Sequence, residues 1–317
     1  MTIGILDIAS HVPEGRRDVP RMSKDLNVPE DFLKEKLGTE CLPLCAPAED
    51  ATSLGAEAVS RLLERNPDIA DSVSLLIVVT QNPAHEGLPH TAALIHGQLE
   101  LDRGMAAFDV SLGCSGFVYG MVLATRFLAG QPKGKQHGIL VTADPYSKVV
   151  DPQDRDTAML FGDAATATLI GPDGVLVPGE SDLVTDGRHA DAICVNDGVL
   201  SMKGRKVFNF VMSNVPGQIN RTLESQGLDI EEVDRFFLHQ GSRYIVECLA
   251  QRLGVSIDRV PVGIQSHGNT VSSSIPLLLE EHWSDLSGRP ILLAGFGVGL
   301  SSGVMVMTTA QKEEGQA

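Results

Sequence analysis

Aromatic residues make up only 4% of the 317-residue chain, with a single tryptophan. A core of any size must therefore be assembled from Val, Ile, Leu, Ala and Met, packed by number rather than by large rings. No apolar run approaches the ~20 residues that a membrane-spanning helix needs, so no span and no membrane partner is expected. Paired CxxC spacings are missing, and the five cysteines, Cys41, Cys45, Cys114, Cys194 and Cys248, are odd in number and irregularly placed. That pattern predicts neither a zinc site nor a disulfide framework, and it suits a reduced, cytoplasmic protein. The opening MTIGILDIASHVPEG has no basic stretch followed by a long apolar one, so a secretory signal is not expected. Cations are outnumbered: 25 Lys and Arg stand against 41 Asp and Glu, a net charge of −16. Nucleic acid demands clustered cations, so it is excluded as a partner; the acidity reads first as solubility.

What is present points to a helix-covered sheet. Hydrophobic residues reach 43%, charged residues 21%, and there are 32 glycines, the profile of a globular α/β protein. The length exceeds one compact core and suits two fused halves. Apolar runs of strand length fall at 3–8, 73–80, 106–110, 138–142 and 164–170, then at 235–239, 259–262, 290–294 and 303–309. Continuous apolar strands are buried on both faces. Amphipathic helix patterns lie at 51–65, 89–99, 207–226 and 242–253, while 114–128 and 273–283 are apolar nearly all round and belong inside a layered molecule. Residues 172–196, rich in Gly and Asp and weakly periodic, read as a connection plus a surface loop. An internal repeat runs through the chain: LLIVVTQ (75–81) parallels RFFLHQ (235–240), and GILVTAD (138–144) parallels PILLAGFG (290–297). The repeat predicts two halves, 1–171 and 172–317.

Three residues stand where chemistry is done, although each has an ordinary reading. Cys114, in FDVSLGCSGF, lies on a strand-to-helix turn with Gly on both sides. Unpaired N–H groups and the positive helix end there are expected to lower the thiol pKa and make a nucleophile; alternatively the residue is a small buried apolar side chain. His239 ends the strand RFFLH, at the carboxyl edge where open α/β sheets place their sites, or is a hydrogen-bonded edge histidine. Asn269 precedes the second buried helix and would ordinarily cap it. GFGVGLSSG (295–303) lacks both the G-x-G-x-x-G spacing and a following helix, which excludes a dinucleotide site; it reads as a turn aiming backbone N–H groups at something anionic. Cys114 and Asn269 occupy matching places in the two repeat halves. His239 and the glycine loop end neighbouring strands, so all four are expected on one face at the join.

Longer motifs carry a family resemblance. DVSLGCSGFVYG, LFGDAATATLIG, MKGRKVFNFV, LHQGSRYI, HGNTVSSSIPLLLEE and GFGVGLSSG follow one another in this order. With them the chain resembles the β-ketoacyl-acyl-carrier-protein synthase III group of the thiolase superfamily along nearly its whole length. The resemblance implies a thiolase-like five-layered αβαβα fold of two duplicated halves, assembled as a homodimer, and an acyltransferase needing no metal or organic cofactor. It implies that Cys114 carries an acyl group, with its own N–H and that of Val298 as the oxyanion hole. His239 and Asn269 would stabilise the enolate formed when a malonyl thioester loses carbon dioxide, in fatty-acid or specialised lipid biosynthesis. Acyl carrier protein is the implied partner and acyl-coenzyme A a further donor.

The departures from the family pattern weaken the coenzyme A reading. The histidine motif reads HQGS, with Gly241 and Ser242 replacing Ala and Asn. In DFLKEKLGTECL, Phe32 replaces a tryptophan, Lys36 an arginine, and Glu40 interrupts a basic stretch; Arg155 matches a nucleotide-contacting arginine. Phe32, Lys36 and Arg155 are thus the candidate coenzyme A contacts. Leu88 stands where the family often has Phe, in the segment reaching into the partner subunit's pocket. An acidic carrier needs a local cationic face, for which Arg243 and Arg252 are expected, with Lys203 and Arg205 as secondary candidates. The alternative reading keeps Cys114 and the fold but passes the acyl group to an oxygen, nitrogen or carbon nucleophile without decarboxylation.

Overall fold

The computed structural model describes residues 2–309. Most of its apolar runs become strands, and the central ones are buried on both faces. Every residue of β4 (Val73–Val79) is buried, and successive side chains of a strand point to opposite sides. Leu75, Ile77 and Val79 accordingly enter one core cluster, while Leu76 and Val78 enter another. Both faces of the sheet are therefore covered by helices.

The strands fall into two sets with one topology. The first runs β5 (Ala106–Val110), β4, β6 (His137–Ala143), β7 (Ala165–Pro172) and β1 (Ile3–His11). The second runs β11 (Phe236–Leu238), β12 (Ile291–Gly297), β13 (Ser301–Thr309) and β8 (Leu176–Thr185). β4 lies parallel to β6 and β11 parallel to β12, and each set continues with two antiparallel pairings. Pairing of Ile5 with Leu176 joins the sets edge to edge.

Helices complete the layers. α3 (Ala51–Arg65) and α4 (Thr91–Gln98) cover the outer face of the first sheet; α6 (Gly204–Ser225), with α7 (Arg243–Leu253) against it, covers the outer face of the second. α3 starts where the sequence pattern placed it, because Asp50 and Ser53 cap each other's backbone N–H groups. Between the sheets lie α5 (Gly116–Ala129) and α9 (Ser274–Glu281), which touch strands of both. The order is αβαβα. Smaller elements flank these layers. β2 (Gly15–Asp18) and β3 (Cys41–Leu44) pair around α1 (Val19–Asp25) and α2 (Glu30–Phe32), which runs into a π-helical turn, Leu33–Leu37. β9 (Ile193–Asn196) and β10 (Val199–Met202) form a hairpin, and α8 (Ile264–His267) precedes the asparagine turn.

Three expectations fail for identifiable reasons. Residues 259–262 do not form a strand: a 3-10 turn, Ile257–Arg259, is followed by irregular chain. Pro261 has no N–H to give to a ladder, and the Gln240 side chain bonds the Pro261 carbonyl and the Gly263 N–H instead. Residues 172–196 are more than connection and loop, because β8 supplies a ten-residue strand to the second sheet. Its Pro178, Gly179, Glu180 and Asp182 hid it from an apolar-run reading. α5, finally, is not buried all round: Leu123 is 45% exposed.

The core is dense in the middle layer, where Phe117, Phe237, Leu140 and Leu293 are all fully buried. Phe237→Ala should cost about 3–5 kcal/mol, as expected for emptying a buried aromatic site. Chemical denaturation should show this as a lower midpoint with an unchanged slope.

Candidate active site

The cysteine turn is shaped by close packing against the glycine loop. Between β5 and α5 the chain turns through Gly113 and Gly116. A Cβ at Gly113 would sit 2.7 Å from Gln81 Oε1 and 2.8 Å from Val298 Cγ1. One on Gly295 of β12 would sit 2.7 Å from the Cys114 carbonyl oxygen and 2.8 Å from Ser115 Cα. At Gly295, where the neighbours are backbone, such distances admit only glycine. Ser115 Oγ lies 2.8 Å from Ser301 Oγ, which in turn donates to the Val298 carbonyl at 2.7 Å. The backbone N–H groups of Cys114 and Val298 favour negative charge on the Cys114 sulfur.

Burial overturns the expected acidity of this thiol. Cys114 is 6% exposed, and loss of hydration pushes its pKa up to about 12 despite the two N–H groups; the charge of Asp144 adds to the rise. The free protein therefore holds a neutral thiol at physiological pH.

His239 is neutral for the same reason. It follows β11, where its N–H bonds the Ala294 carbonyl of β12 at 2.8 Å. The ring is 1% exposed and meets Phe296 edge-on, with centroids 5.4 Å apart. Burial pushes its pKa down to about 3. Its Nδ1 lies 2.7 Å from Ser274 Oγ, at the start of α9.

Asn269 does not cap α9, whose N-cap is Ser273. Its backbone is tied to the first half: the N–H donates to the Leu160 carbonyl at 2.8 Å, and its carbonyl accepts the Gly162 N–H at 3.2 Å. Its side-chain Oδ1 accepts the Val271 N–H at 2.9 Å. A backbone N–H can only donate, so the amide is fixed with its NH2 group as the remaining donor. Val271 holds this N–H in place from a left-handed conformation, φ +52°, which is costly for a β-branched residue.

These side chains share one cavity of about 600 Å³, lined by Cys114, His239, Asn269, Val298, Phe296 and Tyr146. Phe32, Lys36 and Arg205 also border it. The Lys36 ammonium sits 3.4 Å over the Tyr244 ring, which stacks on Phe208. Other candidates fall outside. Arg155 is exposed and lines no part of the cavity, whereas its neighbour Asp156 does. Arg243 is held by Glu247 at 2.7 Å and borders a neighbouring depression with Lys34 and Lys36. Arg252, exposed in the last turn of α7, stands ~13 Å further along the helix at 1.5 Å per residue. Lys203 is tied to Asp191 at 2.7 Å.

Asp144, Ser272 and Ser274 escaped the sequence reading. Asp144, at the end of the apolar run GILVTAD, is wholly buried and accepts from Gln81 N at 2.7 Å and Ser272 Oγ at 2.5 Å. Burial pushes its pKa up to about 6. A lone acid closing an apolar strand was the available signal. Among the described residues no group of three or more His, Cys, Asp or Glu side chains is placed to hold a metal ion.

Comparison with known proteins gives the family of the chain. A family model described as 3-oxoacyl-[acyl-carrier-protein] synthase III matches residues 108–187, and its C-terminal counterpart matches 223–309. The β-ketoacyl-[acyl-carrier-protein] synthase III of Acidiphilium cryptum is 32% identical, over 93% of this chain and 96% of that protein. The corresponding protein of Lactococcus lactis subsp. cremoris is 31% identical over 96% of this chain and 98% of its own length. A crystal structure of the Thermus thermophilus enzyme superposes with a TM-score of 0.89 at 30% identity, covering 97% of this chain and 99% of that one. Fold and likeness together define an acyltransferase of the thiolase type. Within that class, the chain belongs to the β-ketoacyl-acyl-carrier-protein synthase III family.

A thiol of pKa about 12 predicts a particular pH profile. Mass-mapped alkylation of Cys114 by iodoacetamide should keep rising roughly tenfold per pH unit through about pH 10, because only the thiolate reacts. A plateau below about pH 9 would contradict the burial effect.

Proposed function

We propose that the protein loads an acyl group from a thioester onto Cys114 and condenses it, with loss of carbon dioxide, with a malonyl thioester. One observation carries this reading: a buried sulfur, on which two backbone N–H groups favour negative charge, shares its cavity with an amide fixed as a donor and a neutral imidazole. In the first half-reaction the Cys114 sulfur attacks the acyl carbonyl. The N–H groups of Cys114 and Val298 hold the developing oxyanion, and the departing thiolate takes up the proton that the thiol gives away. In the second, carbon dioxide leaves the malonyl group and its electron pair moves onto the thioester oxygen as an enolate. Asn269 and His239 donate to that oxygen, and the enolate carbon attacks acyl-Cys114, expelling the thiolate. No step calls for a metal or organic cofactor.

Acyl carrier protein is the proposed carrier. Lys36 and Arg205 border the cavity, and Lys34 and Arg243 the depression beside it, interleaved with Asp156, Glu35 and Glu247. These four cations are the proposed docking contacts, and Arg252 is too far along α7 to join them. Acyl-coenzyme A as donor rests on Phe32 and Lys36, since Arg155 lies outside the cavity. We further propose a cytoplasmic homodimer of chains divided at 171/172. Among the described residues β5 ends its sheet with an unpaired edge, and Leu123 and Leu88, the latter 86% exposed, are apolar surface a second copy would cover.

Asn269→Asp tests the condensing step. The carboxylate still accepts the Val271 N–H but has no proton to donate. Release of carbon dioxide from malonyl-carrier protein should fall about a hundred- to a thousandfold, while acyl-Cys114 still accumulates by mass spectrometry. If the wild-type protein forms acyl-Cys114 but never releases carbon dioxide from malonyl thioesters, the non-decarboxylating transfer replaces this reading. Separately, light scattering should give a mass twice that of the 33.8 kDa chain; a monomer at micromolar concentration would refute the dimer.

A further inference from the structure

The imidazole of His239 is neutral and buried, so it carries one ring proton, and which nitrogen holds it decides what the ring can do. Bearing the proton on Nε2, it donates to the cavity; bearing it on Nδ1, it presents a bare lone pair there. The groups around Nδ1 make that choice. Ser274 Oγ lies 2.7 Å from Nδ1, and the Val271 backbone, whose carbonyl bonds the same serine hydroxyl at 3.1 Å, also acts on the ring. A carbonyl only accepts, and by itself it would force the proton onto Nδ1. The serine hydroxyl alone can donate to Nδ1. Its one proton has two acceptors, the imidazole at 2.7 Å and the Val271 carbonyl at 3.1 Å. The imidazole is the closer. Ser274 is itself buried at the first turn of α9, so water does not relieve the competition.

We propose that Ser274 is a positioning residue that donates its hydroxyl proton to His239 Nδ1 and thereby keeps Nε2 protonated, as a hydrogen-bond donor into the cavity. The same short segment then sets both donors. The Val271 N–H turns the Asn269 amide so that its NH2 group faces outward, and Ser274 selects the matching state of the imidazole. Nothing is consumed or oxidised; one proton is held on one nitrogen. The kinetic consequence rests on the enolate role assigned to His239 above, whereas the proton's location does not.

The decisive measurement is the 15N spectrum of histidine-labelled protein at neutral pH, with the His239 signals identified by their loss in His239→Asn. Wild-type protein should show Nε2 protonated and Nδ1 bare, and Ser274→Ala should move the proton to Nδ1. In that variant carbon dioxide release from malonyl-carrier protein should fall about a hundredfold, the effect of losing one donor, with acyl-Cys114 formation retained. Ser274→Thr, which keeps the hydroxyl, should restore both the tautomer and the rate. A wild-type ring protonated on Nδ1 overturns the inference, and needs no variant to fold; so does a Ser274→Ala protein that keeps its proton on Nε2. If the proton moves but decarboxylation is unchanged, Ser274 keeps its role and the assignment of His239 as enolate donor is what fails.

Discussion

The attachment of one short turn, residues 269–274, to the other half of the molecule is the contact on which the site depends. Asn269 is tied through its backbone to Leu160 and Gly162. Ser272 reaches Asp144, and Ser273 Oγ lies 2.8 Å from Thr142 Oγ1 and donates to the Ala164 carbonyl. Ser274 turns the other way, to His239 in the second sheet. Three consecutive serines thus join β6, β7 and the end of β11 at one point. Polar groups buried at such a junction are costly unless paired. The side chains of Asn269, Ser272, Ser273 and Ser274 are, while Thr270 Oγ1 has no partner among the described residues. Pairing them leaves few arrangements, and the arrangement that remains holds the donors of the site.

Dryness at this junction governs the chemistry. Water would stabilise a thiolate and an imidazolium; where burial removes it, Cys114 is pushed up and His239 down, and both line one cavity as neutral groups. The cavity is poised for charge that arises only during reaction, on an oxyanion or an enolate, where fixed N–H donors in a low dielectric act most strongly. Gly295 and Gly297 press on the cysteine so closely that a Cβ on either would sit within 2.8 Å of its atoms, so no side chain intervenes there.

The division between legible and illegible follows the range of the forces. Strands such as 73–79 and the helix at 51–65 were readable because burial on both faces, or on one, leaves a period in the sequence. β8 was not, because its partners β13 and β1 hold it in place despite Pro178, Gly179 and two acids. The 259–262 segment misled in the opposite direction, with apolar residues but a proline where a ladder needs a donor. Cys114, His239 and Asn269 could be singled out because a residue at the end of a strand or before a buried helix is marked by its neighbours. Arg155 and Arg252 could not be excluded by that route, since exposure and direction around a helix are tertiary facts.

The sequence by itself determined the layered α/β architecture, the repeat, and the three residues facing one cavity, because periodicity and motif spacing are local properties of the chain. Only the tertiary structure decided their states. The neutral thiol and the depressed imidazole arise where segments distant in the chain exclude water together, whereas the Asn269 amide is fixed by Val271 within its own turn and Nδ1 meets Ser274 from a separate element. Hydration and hydrogen-bond competition at such a contact have no signature in any single stretch of sequence.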